Sequence, residues 1–299
     1  MKRRVARIAI GLAVALTVAL AQAQITLRDD RGATLQFAAP PQRIVSLLPS
    51  LTESVCALGA CARIVGTDNF SNFPPSVRSL PKLGGIDDAQ IERIVALKPD
   101  VVLVSGSTRI TERLEALGQK VLVLESRDHA DVQRTLRLVA TLLGSAALAA
   151  PLEAAIDLQM RAAAARVPAS LRGRLVYFEV DATPYAAGPT SFIGETLTRL
   201  GMGNALAAQL GPFPRLNPEA VVRLQPDIVM ADERNLADMP ARPGWTALRA
   251  LQQRRSCGFP SARYELLIRP GPRMGEAAGV LADCLQGLGL STAHEVSPR

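Results

Sequence analysis

Residues 91–104, IERIVALKPDVVLV, and residues 218–231, PEAVVRLQPDIVMA, are two copies of one helix, stop and strand unit. In each copy a glutamate stands near the helix start (Glu92, Glu219), and a Pro-Asp pair (Pro99-Asp100, Pro226-Asp227) follows seven residues after it. Ile91, Ile94, Val95 and Leu97 form one apolar helical face and leave Glu92, Arg93 and Lys98 on the polar side. The proline disfavours helix at the residue before it and sends the chain extended into VVLV. A continuous apolar run of that kind suits a strand covered on both faces, as in a parallel sheet between helices. A first-turn glutamate is favoured by the helix dipole alone. Two at matched positions weaken that explanation.

Outward from the first copy, the rhythm continues in both directions. Upstream, RIVSLL (43–48) reads as a strand and Pro49-Ser50 as a turn; a helix from Thr52, with Glu53 in its first turn, ends at Gly59, and Ile64–Gly66 is a second strand. The polar loop TDNFSNFPP (67–75) carries two aromatics. Downstream, KVLVLE (120–125) is another buried strand. Around the second copy, RLVYFE (174–179) is a strand, and Glu195 precedes Gly201 by six residues, as Glu53 precedes Gly59. The fold class expected is therefore α/β, with two parallel-sheet lobes joined by a long helix.

The division expected is a signal peptide at 1–23, an N-terminal hairpin at 24–42, an N-terminal α/β lobe at 43–145, a linking helix at 146–168, a C-terminal α/β lobe at 169–290 and a frayed tail at 291–299. The hairpin rests on two apolar runs flanking Asp29-Asp30-Arg31-Gly32. The link is Ala- and Leu-rich, which predicts a stiff connection and small lobe motion. Met1 to Ala23 has a basic start, a 13-residue apolar run from Ile8 to Leu20 and a small-residue end, the pattern of a cleaved secretory signal. The expected new N-terminus is Gln24 rather than a cysteine, which argues against a lipid anchor, so a soluble product exported to an oxidising compartment, a bacterial periplasm, is expected. Of the formal charge of +7, Lys2, Arg3, Arg4 and Arg7 supply four, which leaves about +3 and argues against nucleic acid.

The four cysteines, Cys56, Cys61, Cys257 and Cys284, allow three pairings, and the local pairs Cys56–Cys61 and Cys257–Cys284 are favoured; buried free thiols are the alternative. Zinc is disfavoured because no C-x-x-C spacing occurs. The two histidines, His129 and His294, are expected at the surface, and no G-x-S-x-G, H-E-x-x-H, Walker-A or G-x-G-x-x-G pattern is present. Ser50 sits where a helix N-terminus could meet a ligand, or could simply cap the helix. Of eleven aromatics, Phe70, Phe73, Tyr185, Phe213, Trp245 and Tyr264 fall in loops or at strand ends, where ligands of α/β sheets bind.

With these residues in view, the chain resembles the periplasmic substrate-binding proteins of ABC importers for cobalamin, ferric siderophores and haem, and among them most the cobalamin-binding members. The resemblance runs from about Arg43 to Leu288 on RIVSLLPSLTE (43–53), FSNFPP (70–75), the two repeated units, PYAAGPTSFIGETL (184–197) and RPGPR (269–273). It implies a monomer without catalysis or resident cofactor that carries cobalamin, or a ferric siderophore or haem, to an inner-membrane permease dimer. It implies two lobes joined by a backbone helix with a ligand cleft between them, lined by Ser50, Phe70, Tyr185, Phe213 and the segment Glu265 to Arg269, with Ile86 and Phe213 where tryptophans form cleft walls in a cobalamin binder. It also implies that Glu92 and Glu219 are surface acids that meet arginines of the permease. An exported enzyme on the same scaffold is the competing class, and Glu53, Asp87, Asp88 and Glu265 are its only candidate groups.

Overall fold

The computed structural model describes residues 24–108, 110–182 and 184–295. The expected signal peptide lies outside them. The first half contains β1 (Ile25–Arg28), β2 (Thr34–Phe37), β3 (Ile44–Ser46), α1 (Pro49–Ala57), β4 (Ile64–Thr67), α2 (Ile91–Ala96), β5 (Val101–Val104), α3 (Thr111–Ala116), β6 (Val121–Val123) and α4 (His129–Leu142). After α5 (Ala149–Arg166) come β7 (Leu175–Asp181), β8 (Tyr185–Ala186), α6 (Phe192–Arg199), β9 (Gly203–Asn204), α7 (Pro218–Leu224) and β10 (Ile228–Asp232). The chain closes with α8 (Glu233–Asp238), α9 (Arg249–Gln252), β11 (Ser256–Phe259), α10 (Ser261–Leu267) and α11 (Met274–Glu295).

Strands β1 and β2 form the antiparallel hairpin. The first lobe is a parallel sheet in the order β4-β3-β5-β6, and the second pairs β11, β10, β7 and β9 in parallel, with the short β8 antiparallel on β7. All four residues of β5 are buried, as its unbroken apolar sequence requires. Cys56–Cys61 ties the end of α1 to the turn before β4, and Cys257–Cys284 ties β11 to α11.

Both copies of the repeated unit adopt one design. The residue before the proline is not extended but has positive φ, 47° at Lys98 and 43° at Gln225. The aspartate that follows the proline then accepts N–H groups at the start of the neighbouring strand: Asp100 from Gln42 and Arg43 at 2.8 Å, Asp227 from Leu175 at 2.9 Å. The Pro-Asp pair thus ends a helix and ties down the adjacent strand.

Three expectations are corrected. Helix α1 begins at Pro49 rather than Thr52, since proline suits the first helical position, and Glu53 lies in its second turn. Helix α11 continues to Glu295, because Ser291 to Glu295 contain no breaker; residues 296–299 lie outside the described residues. The crossing between lobes is not made by the long helix alone. Val132 and Leu136 of α4 pack in the second lobe's core, whereas Val139, Ala140 and Leu142 of the same helix pack in the first. Helix α5 is anchored by Ala149 in the first core and by Ile156, Met160 and Ala163 in the second. Two helices rooted in both cores resist hinge bending, since lobe rotation would open close-packed apolar surface.

Candidate functional site: the cleft between the lobes

The C-terminal ends of the strands of both sheets converge on a cleft of about 500 Å³. In doubly wound sheets this edge binds ligands, because the loops leaving the strands diverge there. The first lobe contributes Leu47 to Ser50 after β3, Ser105 and Ser107 after β5, and Leu124 to Arg127 after β6; the second contributes Val180, Phe192, Phe213 and Ile268.

The aromatic loop after β4 is built around Asp68, which is 1 % exposed. Its carboxylate accepts the backbone N–H groups of Phe70 at 2.7 Å and Ser71 at 3.0 Å, and the Ser71 hydroxyl. Burial pushes this carboxyl above its usual range in spite of those bonds. Lys82 Nζ donates to Thr67 Oγ1 and to Ser71 O. The loop is thereby held while Phe70, 65 % exposed, projects at the cleft.

Two contacts close the lobes on one another beside the cleft. In the first, Arg269 of the second lobe reaches into the first: Nη1 donates to Glu53 Oε1 and Asn72 Oδ1, each at 2.9 Å, and Nη2 to Phe70 O at 3.1 Å and Glu265 Oε2 at 2.8 Å. Glu53 is 3 % exposed, and burial raises its carboxyl against the opposing pull of Arg269 and Arg273. Its Oε2 and the Ser50 hydroxyl have no protein partner. In the second contact, Glu195 Oε2 accepts the backbone N–H of His129 at 2.8 Å, and Phe192 donates its N–H to Arg127 O at 2.7 Å. His129 Nε2 lies 2.9 Å from Thr196 Oγ1 and 3.0 Å from Phe192 O. His129, expected at the surface, is instead 5 % exposed, and burial first, then Arg199, holds its imidazole below the ordinary value. The side chain of His294 lies outside the described residues.

Six of the seven residues expected around the ligand come together here: Ser50, Phe70, Ile86, Phe213, Glu265 and Arg269 all line the cleft. Tyr185 does not. Pairing of β8 with β7 turns Ala186 fully inward, and the alternation of a strand leaves Tyr185 on the other side, 40 % exposed. Other aromatics expected in loops serve packing, and Tyr264 lies in α10 rather than in a loop. Trp245 is fully buried with its ring edge-on to Tyr177, and Tyr264 stacks on Phe178 while its hydroxyl donates to Glu179 O at 2.7 Å. Phe73 lies off the cleft beneath the Arg273 guanidinium. Residues not singled out from sequence include Asp68, Ser105, Ser107, Glu125 and Arg127; position at or just beyond a predicted strand end was the available signal for the last four.

Glu92 and Glu219 are exposed in the first turns of α2 and α7. Each follows a cleft-lining apolar side chain by six residues, Ile86 and Phe213, and there is one such acid per lobe. Among the described residues no group of three or more His, Cys, Asp and Glu is placed to hold a metal ion, and no helix is long and apolar enough to cross a membrane.

Two parallel α/β lobes, linked by helices rooted in both and enclosing an aromatic-walled cleft, have the architecture of a two-lobed ligand-binding protein. The chain belongs to the periplasmic binding protein family, whose pattern matches residues 44–262. It is an ABC-transporter substrate-binding protein. Similar to it are the uncharacterized ABC transporter substrate-binding lipoprotein YvrC of Bacillus subtilis, 28 % identical across 87 % of this chain and 85 % of that one, and a cobalamin-binding protein of Halobacterium salinarum, 29 % identical across 69 % of this chain and 58 % of the relative. Among solved structures, a periplasmic haem-binding protein of Roseiflexus sp. RS-1 superposes with a TM-score of 0.69 at 26 % identity, covering 82 % of this chain and 98 % of the other. A periplasmic vitamin B12-binding protein of Vibrio cholerae does so with a TM-score of 0.69 at 21 % identity, covering 84 % and 98 %, a likeness of fold.

Proposed function

We propose that this protein captures a corrinoid of the cobalamin type in the periplasm and delivers it to an ABC importer, docking through Glu92 and Glu219. The observation that carries the ligand choice is the chemistry of the cleft wall. Its lining holds no His, Tyr, Cys or Met among the described residues, and these are the side chains that ligate haem iron. A corrinoid brings its own axial ligands and asks the protein only for apolar walls and hydrogen bonds to its peripheral amides. Phe70, Ile86 and Phe213 supply such walls, and Ser50, Ser105, Ser107 and Ser126 with Glu125 and Glu265 supply uncharged and acceptor groups. The same lining disfavours an anionic ferric siderophore. Asp68, Glu125 and Glu265 outnumber Arg127 and Arg269, and Arg269 already serves two carboxylates. The similarity to cobalamin-binding relatives agrees with this reading.

Docking would act by charge complementarity, which orients both lobes on the permease. The two local disulfides and the signal-like Met1 to Ala23 are consistent with an oxidising, exported setting. The test is to express the protein in cells supplied together with cyanocobalamin, haemin and a ferric hydroxamate siderophore, and to identify what copurifies by visible spectrum and mass. A retained corrinoid is expected; retained haem or siderophore would overturn the ligand assignment.

A further inference from the structure

The segment Arg269–Pro270–Gly271–Pro272–Arg273 joins α10 to α11, and its two prolines fix the backbone between two arginines that both reach the first lobe. Arg269 lines the cleft, whereas Arg273 does not. The Arg273 guanidinium instead lies over the Phe73 ring, 3.7 Å from its centroid. At its edge it meets Glu53 Oε1 at 3.6 Å and donates to Glu276 Oε2 from Nε at 3.0 Å and Nη2 at 2.8 Å. A planar cation can stack on a ring and hydrogen-bond at its rim at once, which an ammonium cannot.

Phe73 belongs to the loop that presents Phe70, three residues away. That loop is tethered to the opposite lobe at Phe70 O, at Asn72, whose Nδ2 donates to Glu265 Oε2 at 2.8 Å, and at the Phe73 ring. A side chain as exposed as Phe70 has little packing of its own to fix it, so its place at the cleft depends on how its loop is held.

We propose that Arg273 is a positioning residue for ligand capture: by clamping Phe73 from the second lobe, it sets the first lobe's Phe70 wall without touching the ligand. For the ligand, this inference rests on the corrinoid reading. The test has two arms. In calorimetric titrations of the chain without its signal segment with cyanocobalamin, Arg273→Gln, Arg273→Lys and Phe73→Leu each bind about tenfold more weakly than wild type. The double variant Arg273→Gln/Phe73→Leu binds no more weakly than either single one, because both remove the same clamp. Glu276→Gln, which breaks only the exposed pair, binds as wild type.

The second arm needs no ligand. Amide hydrogen exchange at Phe70 and Ser71, whose N–H groups are held by Asp68, becomes about tenfold faster in Arg273→Gln and in Phe73→Leu, and stays unchanged in Glu276→Gln. Unchanged exchange in the first two variants, or losses of affinity that multiply in the double variant, would overturn the positioning role. Failure of the wild-type chain to bind cyanocobalamin would sink the corrinoid reading alone, since the exchange arm still decides the clamp.

Discussion

The two lobes repeat their construction and diverge where they meet. Within the lobes, α2–β5 and α7–β10 share a left-handed residue before the proline and an aspartate on the neighbouring strand's N–H groups. At the boundary, the matched glutamates of α1 and α6 both reach across, but with different chemistry. Glu53 enters a buried ion pair with Arg269, and Glu195 accepts one backbone N–H from His129. Building a lobe demands the same local devices twice, whereas holding a cleft open on one ligand demands contacts specific to each side. The ion pair stands beside the aromatic loop and the carboxylate–backbone contact beside Phe192, so disturbing the first should reach the ligand more readily.

The largest effect expected is on delivery, where the lobes should count equally. Glu92→Arg and Glu219→Arg singly reduce uptake of labelled cobalamin, and together they abolish it while calorimetric affinity for cyanocobalamin stays at the wild-type value. Uptake that survives the double reversal would remove the docking role.

Stability should separate the two boundary contacts. Arg269→Ala leaves buried Glu53 with only the longer 3.6 Å contact to Arg273 and costs about 3–5 kcal/mol in urea unfolding. Glu195→Ala forfeits one hydrogen bond to a charged acceptor, about 1.5–3 kcal/mol. Equal costs would mean that the asymmetry of the boundary has no energetic weight.

The disulfides offer a finer comparison, one per lobe. Cys257–Cys284 closes a separation of 27 residues and Cys56–Cys61 one of 5. On the chain-entropy estimate, paired serine replacements cost about 3.5 kcal/mol for the long loop and about 2 kcal/mol for the short one. The ranking is checked by denaturant midpoints of the two double variants.

The smallest effect concerns acid. His129 is held below its ordinary value of 6.5, so the folded chain favours the neutral ring. Its contribution is complete above the unfolded value and falls as pH drops from there towards the depressed folded one. The melting temperature of the wild type should therefore decline below about pH 6.5, and His129→Gln should flatten that decline. Parallel slopes in wild type and variant would contradict it.

Much of the fold was legible because its signals are local. The Pro-Asp spacing, the apolar strands and the short cysteine separations each express a constraint acting within a few residues, and both predicted disulfides form. Most of the cleft was legible through family likeness, since Ser50, Phe70, Ile86, Phe213, Glu265 and Arg269 do converge. What was hidden depends on which side of a loop is covered. Trp245 starts a short 3-10 turn and Tyr264 lies in α10, yet both fill the second lobe's core, because a turn or short helix laid over a sheet can be as buried as a strand. The Glu53–Arg269 pair joins residues 216 positions apart, and nothing near either one announces the other. His129 was misplaced for the same reason: its burial comes from α6 in the opposite lobe.

The central claim is that the cleft accepts a metal macrocycle already furnished with its axial ligands. It is tested most directly by calorimetric titration of the purified chain with cyanocobalamin beside haemin. Saturable one-to-one binding of the corrinoid is predicted, with haemin at least a hundredfold weaker, about 2.7 kcal/mol. Tight haemin binding without a response to cyanocobalamin would contradict the account.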